Sequence, residues 1–232
     1  MVNGRIVQMP PSTPTSLSRE ARRHRETGLF DDVKVAVAYY SQRGHVARLA
    51  AAVAEGAQRI QDTQVSTWSV DTLTPELWKA LDAADALVFG APTYMGGPAA
   101  AFKAFADASL SAWLDDLSWR HKIAAGFTHS QAMSGDKLNT LQYFSILAAQ
   151  HGMLWVTLDL YPGWCTSSGR ITDRNRLGGW LGVMSQSNGD GPTEENPGIG
   201  DLETACYLGE RVARVARELV AGRRAISSVI EK

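Results

Sequence analysis

The stretch VAVAYYSQRGHVARLAAAVAEGA, residues 35–57, places a short polar loop between two different apolar patterns. Residues 33–40 are nearly all apolar and rich in β-branched and aromatic side chains, which predicts a strand buried on both faces. Apolar side chains then recur at helical spacing up to residue 57. The loop SQRGHV therefore precedes a helix N-terminus, where unpaired backbone N–H groups favour a bound anion.

Strand and helix patterns alternate along the rest of the chain. Further strands are predicted at residues 64–70, 86–91, 121–128 and 154–160, and helical patterns follow them. One helix has Thr74 as its cap and Pro75 at its first position. Five such units imply an α/β fold with a parallel sheet and helices on both faces. Right-handed crossovers favour the doubly wound strand order 2-1-3-4-5, with a ligand at the carboxyl ends of the strands.

The 232 residues are expected to form one folded domain over residues 31–222, between a flexible leader (1–30) and a C-terminal tail (223–232). The leader is rich in Pro, Ser and Thr and includes a short basic arm at residues 19–25. Residues 161–200 are too long for an ordinary connection. Because this segment contains several apolar residues, including Trp164 and Trp180, it is expected to pack on the domain or on a neighbour. Asp201 is expected to cap the last helix.

Composition excludes several classes of protein. The formal net charge of −1 gives no indication of a nucleic-acid or membrane partner. No apolar run is long enough to span a bilayer. The two cysteines, Cys165 and Cys206, form neither a metal-binding motif nor a disulfide framework, so a cytoplasmic protein is expected. The five histidines show no ligand spacing, and no metal site is predicted.

Three polar or glycine-rich loops follow strands one, three and four of the predicted sheet. They contain the sequences SQRGHV (41–46), PTYMGG (92–97) and THSQAMSGD (128–136). Each loop alone is compatible with an ordinary turn, but the carboxyl ends of parallel strands meet at one edge of the sheet. Neither GxGxxG nor GxxxxGK[ST] is present in the first loop, so one phosphate group suits it better than a pyrophosphate.

These loops, together with QHGMLWV and NRLGGWLGVMSQSNGDG farther along, resemble flavodoxin-like FMN proteins. The resemblance is closest to the tryptophan-repressor-binding-protein family of NAD(P)H:quinone oxidoreductases and the related NADPH-dependent FMN reductases, and it covers residues 33 to about 220. Ser134-Gly135-Asp136 stands where the quinone reductases usually have His-Gly-Gly, which favours the FMN-reductase branch. The resemblance implies a flavodoxin-like fold, FMN as cofactor, NADH or NADPH as electron donor, and a homodimer or homotetramer.

The same resemblance implies which residues contact the ligands. The FMN phosphate is expected to meet Ser41, Gln42, Arg43, Gly44, His45 and Val46. The isoalloxazine ring is expected to meet Pro92, Thr93, Tyr94, Met95 and Gly96 on one side, and Thr128, His129, Ser130, Ser134, Gly135 and Asp136 on the other. Substrate contacts are expected from Trp113, which matches an aromatic residue that, in the family, reaches a flavin across a subunit boundary. His151 is a second candidate, although Gln150 stands where the family often has a first histidine. Arg43 is a third, as a partner for a phosphate of the nicotinamide cofactor.

The expected function is that of an FMN-dependent oxidoreductase that passes electrons from NAD(P)H to a quinone or similar small acceptor by ping-pong hydride transfer. The flavin supplies the chemistry, so no catalytic acid or base is assigned. The alternative is a flavodoxin-type electron carrier without turnover of its own. Such carriers tend to be strongly acidic, unlike this chain. A scaffold role has only the basic arm in its favour, and an iron–sulfur flavoprotein lacks the cysteines it needs.

Overall fold

The computed structural model describes residues 32–230, and the predicted leader with its basic arm lies outside this range. The described strands are β1 (Val33–Tyr39), β2 (Thr63–Ser69), β3 (Ala86–Tyr94), β4 (Gly97–Pro98), β5 (Ile123–Ser130), β6 (Leu154–Trp155) and β7 (Val183–Gln186). The helices are α1 (His45–Gln58), α2 (Pro75–Ala83), α3 (Ala100–Ala108), α4 (Leu110–Leu114), α5 (Lys137–Gln150) and α6 (Ile199–Ile230).

The sheet has the predicted doubly wound order, because its main path runs β2-β1-β3-β5-β6 with parallel neighbours. Among residues 32–230 the sheet contains seven strands rather than five. The short β4 folds back on the end of β3 as an antiparallel partner, where Thr93 faces Pro98. β7 is the other addition, and it lies parallel to β5.

The fifth position of the sheet is divided between two strands. β6 pairs only with the start of β5, at Ile123 and Ala124, and β7 pairs with its end, from Phe127 to Ser130. The predicted strand at 154–160 is therefore wrong beyond Trp155. The N–H of Leu158 donates to Trp180 O, and Asp159 adopts a φ of 50°, which turns the chain out of the sheet.

Side chains alternate between two core layers on the faces of the sheet. Val35 and Val37 of β1 face α1 and α6, and Ala36 and Ala38 face the layer of α2, α3 and α5. The second layer contains a cluster of buried aromatic side chains: Phe89, Phe102, Phe105, Trp119 and Phe144. These two layers hold the carboxyl ends of β1, β3 and β5 in fixed positions.

The helix ends agree with the sequence patterns at α2 and differ at α6. Thr74 Oγ1 accepts from the N–H of Leu77, as expected for the cap of α2. α6 begins at Ile199, so Asp201 lies in its first turn rather than at its cap, and its carboxylate is paired with Arg176. The helix also continues to Ile230, past the expected end of the domain at residue 222.

Candidate functional site

A cavity of about 560 Å³ opens where the loops after β1, β3 and β5 meet. This volume lies within the range of small-molecule and cofactor sites. Residues from all three predicted loops line it, and the full lining is Ser41, Gln42, Arg43, His45, Val46, Pro92, Thr93, Tyr94, Met95, Gly96, His129, Ser130, Gln131, Ala132 and Gly135. Gln131 and Ala132 were not predicted. Gly44, Thr128, Ser134 and Asp136 were predicted but do not line the cavity.

The loop after β1 presents unpaired hydrogen-bond donors. The N–H of Ala47, in the first turn of α1, donates to Ser41 Oγ at 3.1 Å, which leaves the Ser41 hydroxyl hydrogen free to donate. Within the part of the chain described, the backbone N–H groups of residues 42–46 donate to no protein acceptor. These donors surround the N-terminus of α1, so this end of the cavity suits an anionic group.

Gly44 shapes this loop without lining the cavity. It adopts a φ of 87°, in the left-handed region that favours glycine. Thr193 lies against it: its hydroxyl donates to Arg43 O at 3.0 Å, and a Cβ on Gly44 would stand 2.7 Å from its methyl group. Arg48 fixes the supporting segment by donating to Thr193 O and Asn196 O.

The loop after β3 forms the rim of the cavity. The Tyr94 hydroxyl donates to Gln42 Oε1 at 3.2 Å and thereby connects the first loop with the second. Burial raises the pKa of Tyr94, so this phenol is neutral. Met95 is fully exposed beside it and has a φ of 48°, followed by Gly96 with a φ of 81°. The rim is therefore mainly apolar and accessible.

A chain of three threonine hydroxyl groups lies beneath the cavity. Thr128 donates to Ala91 O at 2.7 Å, and its oxygen lies 2.8 Å from Thr93 Oγ1. Because the Thr128 hydrogen is already used, Thr93 must donate to Thr128, and Thr140 must donate to Thr93, 2.7 Å away. Thr128 is completely buried and does not line the cavity, and its predicted flavin contact stays a prediction. Thr93 can reach a ligand through its backbone, but its hydroxyl hydrogen is committed.

Two buried histidines line the inner wall. The rings of His45 and His129 are 4.7 Å apart. Burial lowers the pKa of His129 to about 3, and the charges of His45, Lys137 and Arg176 act in the same direction. Burial also lowers the pKa of His45. Both imidazoles are therefore neutral at physiological pH.

Lys137 is a buried residue behind this wall that the sequence patterns did not indicate. Its ammonium group donates to Ser130 Oγ, Ala132 O and Met133 O. Lysines are seldom fully buried, so a lysine at a helix start gave no signal of this position. It holds the loop after β5, which forms one side of the cavity.

The remaining predicted contacts lie away from the cavity. His151 is 2% exposed, packs on Trp119 and contacts Ser109 Oγ through Nε2 at 2.9 Å, and its predicted substrate contact stays a prediction. Trp113 is half-exposed on α4 and does not line the cavity. Asp136 adopts a φ of 51° immediately before α5, and with Ser134 it belongs to the turn behind the lining residues.

The cavity fits a ligand with an anionic tail and a flat ring, as FMN has. The free donors of residues 42–46 and Ser41 match a phosphate group. The rim residues Tyr94 and Met95 and the two neutral imidazoles can surround a heterocycle at the other end. No cluster of three potential metal ligands occurs among residues 32–230. Nor is any described helix long and apolar enough to cross a membrane.

Fold and cavity together define a flavodoxin-like protein of the FMN-binding oxidoreductase class. The model of the NADPH-dependent FMN reductase family matches residues 33–159. The chain belongs to this family, which confirms the resemblance seen in the sequence, the predicted fold class and the predicted class of enzyme.

Individual relatives agree with this assignment. Flavodoxin FldP from Pseudomonas aeruginosa (strain UCBPP-PA14) is 41% identical over 81% of this chain and 99% of its own. An NAD(P)H dehydrogenase (quinone) from Geotalea uraniireducens (strain Rf4) is 30% identical, and the match covers 81% of this chain and 99% of that protein. A flavodoxin, WrbA-like protein from Agrobacterium tumefaciens, whose crystal structure is known, is 41% identical in sequence. The match covers 81% of this chain and 99% of that chain, with a TM-score of 0.63. An archaeal flavodoxin, 18% identical with a TM-score of 0.55, shares the fold.

Proposed function

We propose that the protein binds FMN in this cavity and passes electrons from NADH or NADPH to a quinone or a similar small acceptor. The observation that carries the proposal is that the unpaired donors of residues 42–46 lie at one end of a cavity that is otherwise partly apolar. Bound in this cavity, FMN would supply hydride transfer from the nicotinamide and two-electron transfer to the acceptor. Relatives named NAD(P)H dehydrogenase (quinone) support this choice of acceptor.

The chain's own residues bind and orient the reactants. Ser41 and the loop N–H groups hold the phosphate, and Tyr94 keeps the first two loops together through Gln42. Arg43 is exposed at the cavity and can pair with a phosphate of the nicotinamide cofactor. The nicotinamide and the electron acceptor both bind at the exposed rim beside Met95. The oxidised nicotinamide must therefore leave before the acceptor binds, which is a ping-pong order.

A second candidate function is that of an electron carrier without turnover of its own. Flavodoxin FldP, at 41% identity, favours this alternative. The exposed side chains of Tyr94 and Met95 could contact a protein partner as well as a small molecule. The formal net charge of −1 argues against it, because carriers rely on strong charge to steer their partners.

Anaerobic spectroscopy separates the two functions. The protein is loaded with FMN, mixed with NADH or NADPH, and then with a benzoquinone. If the protein is an enzyme, NADH or NADPH should bleach its visible flavin absorbance, and the quinone should restore it. Steady-state rates should then give parallel lines in double-reciprocal plots, as expected for a ping-pong order. If FMN binds tightly but neither nicotinamide bleaches it, the proposed enzyme activity is wrong and the carrier alternative replaces it.

We also propose that the protein is a cytoplasmic homodimer or homotetramer in which Trp113 of one subunit approaches the FMN of another. Trp113 is 46% exposed on α4, between the exposed residues Leu110 and Leu114. An apolar surface of this kind is typical of a contact between subunits. Light scattering gives the mass in solution. Trp113→Ala should then weaken association, and a monomeric wild-type protein would contradict the proposal.

A further inference from the structure

Lys137, the first residue of α5, is fully buried, and the proposed function does not use it. Its Nζ donates to Ser130 Oγ at 3.0 Å, Ala132 O at 2.7 Å and Met133 O at 2.9 Å. All three ammonium hydrogens are thus directed to the loop after β5. Ser130 and Ala132 also line the cavity, so the ammonium group lies directly behind the cavity wall.

The charge of Lys137 is not balanced by a contacting carboxylate. Among the described ion pairs, none within 4.0 Å involves Lys137. Asp201 favours its charged form from farther away, but Asp201 is already paired with Arg176, whose charge opposes that of Lys137. Burial lowers the pKa of Lys137 to about 8, so the group remains mostly charged at pH 7. His129, whose pKa the charge of Lys137 also lowers, is neutral, and so is His45 beside it.

Lys137 also sets the direction of two peptide groups. The carbonyl oxygens of Ala132 and Met133 point at the ammonium, so the N–H groups of Met133 and Ser134 point away from it, because each peptide is planar and trans. These two N–H groups have no acceptor within residues 32–230. Gly135 has a φ of 56°, and a Cβ there would overlap Ser130 Oγ, so the loop is tightly folded.

We propose that Lys137 is a positioning residue that makes the cavity bind reduced FMN more tightly than oxidised FMN. The inference rests on the proposed function, since it concerns the same cofactor site. FMN that has taken up two electrons and one proton carries one more negative charge than the oxidised form. The buried ammonium group lies directly behind the cavity wall and stabilises that charge, because solvent screens a buried charge little.

The test compares Lys137→Met with a matched control. Methionine keeps an unbranched side chain that is one atom shorter, and it removes the charge. The control is Lys103→Met on α3, where the lysine is exposed and paired with Asp107. Anaerobic titrations at pH 7 give the dissociation constants of oxidised and dithionite-reduced FMN. Lys137→Met is expected to lower the preference for reduced FMN about tenfold, equivalent to about 30 mV for a two-electron couple. The control should leave it unchanged, and an unchanged preference in Lys137→Met overturns the inference.

A pH series on the wild-type protein provides the same test if Lys137→Met does not fold. The preference for reduced FMN should decline above pH 8, because Lys137 then loses its proton. A preference that stays constant from pH 7 to 9.5 overturns the inference about Lys137. Failure of the wild-type protein to bind FMN at pH 7 overturns the proposed function instead, so the two failures are distinguishable.

Discussion

His129 donates from Nδ1 to the hydroxyl oxygen of Ser185, 3.1 Å away, and this contact fixes the tautomer of the imidazole. Ser185 gives its own hydrogen to Asp201 Oδ2 at 3.0 Å, so it can only accept from His129. His129 Nε2 then carries no hydrogen and accepts from the Ser187 hydroxyl at 3.2 Å. The neutral ring has both nitrogens satisfied, and a second proton would break the bond from Ser187.

This arrangement predicts a dependence of stability on pH. The folded protein holds the pKa of His129 near 3, whereas an unfolded histidine titrates near 6.5. Between these values the unfolded chain binds more protons, so the contribution of His129 to stability is present above pH 6.5 and declines as the pH falls. From pH 7 to pH 5 the loss is about 2 kcal/mol.

Urea unfolding of the wild type and of His129→Gln at both pH values measures this contribution. Between pH 7 and pH 5, the free energy of unfolding of the variant is expected to fall by about 2 kcal/mol less than that of the wild type. Nitrogen-15 spectra should show His129 as the Nδ1–H tautomer throughout. If the His129 imidazole of the wild type becomes charged between pH 7 and pH 5, Ser185 and Ser187 do not hold it in the neutral form.

Ser41 is expected to have two separable roles. Its oxygen accepts from the Ala47 N–H in the first turn of α1, and its hydrogen can donate to the FMN phosphate. Ser41→Ala should therefore cost about 1 kcal/mol of stability and weaken FMN binding about tenfold. Thr74→Ala is the matched control, because Thr74 caps α2 outside the cavity lining. It should cost similar stability without changing the affinity, as measured by quenching of FMN fluorescence. Equal effects of both variants on affinity would contradict a phosphate contact.

Local patterns predicted the sheet order and the three loops because strand, helix and turn signals depend on nearby residues. The division of the fifth strand could not be found in this way. Residues 154–160 read as one strand, but Leu158 bonds to Trp180, which is distant in sequence. Similarly, Thr128 ends the predicted strand 121–128 and begins the predicted loop, and only the neighbouring hydroxyl of Thr93 and carbonyl of Ala91 show that its side chain is buried.

Gly44 is expected to be required for its conformation and for its small size. Gly44→Ala places a side chain in the left-handed region at a cost of about 1–2 kcal/mol, and it also crowds the methyl group of Thr193. FMN affinity should fall at least tenfold. Thr193→Ser removes that methyl group but keeps the hydroxyl that donates to Arg43 O.

The combination of Gly44→Ala and Thr193→Ser should therefore recover part, but not all, of the FMN affinity in equilibrium titrations. Gly222→Ala is a control for glycine substitution in general, because Gly222 lies in α6 with open space around it. It should leave the affinity unchanged. Full recovery in the double variant would mean that backbone strain at Gly44 has no effect, and no recovery would mean that Thr193 is not the crowding neighbour.

The buried pair of Arg176 and Asp201 is expected to anchor the segment between β6 and α6. Arg176 Nε lies 2.7 Å from Asp201 Oδ1, and both side chains are about 95% or more buried. Asp201 also accepts from Ser185 and from the N–H of Gln186, so it joins the start of α6 to β7. Asp201→Asn leaves the Arg176 charge buried without its counterion, which typically costs about 3–5 kcal/mol.

Urea unfolding measures that cost, and two further variants show its origin. Glu55→Gln breaks an exposed pair with Arg59 and should change stability little. The double variant Arg176→Met, Asp201→Leu removes both charges and should be more stable than Asp201→Asn, because no unpaired charge remains buried. If the double variant is as unstable as Asp201→Asn, the loss comes from the hydrogen bonds to Ser185 and Gln186 rather than from the stranded arginine.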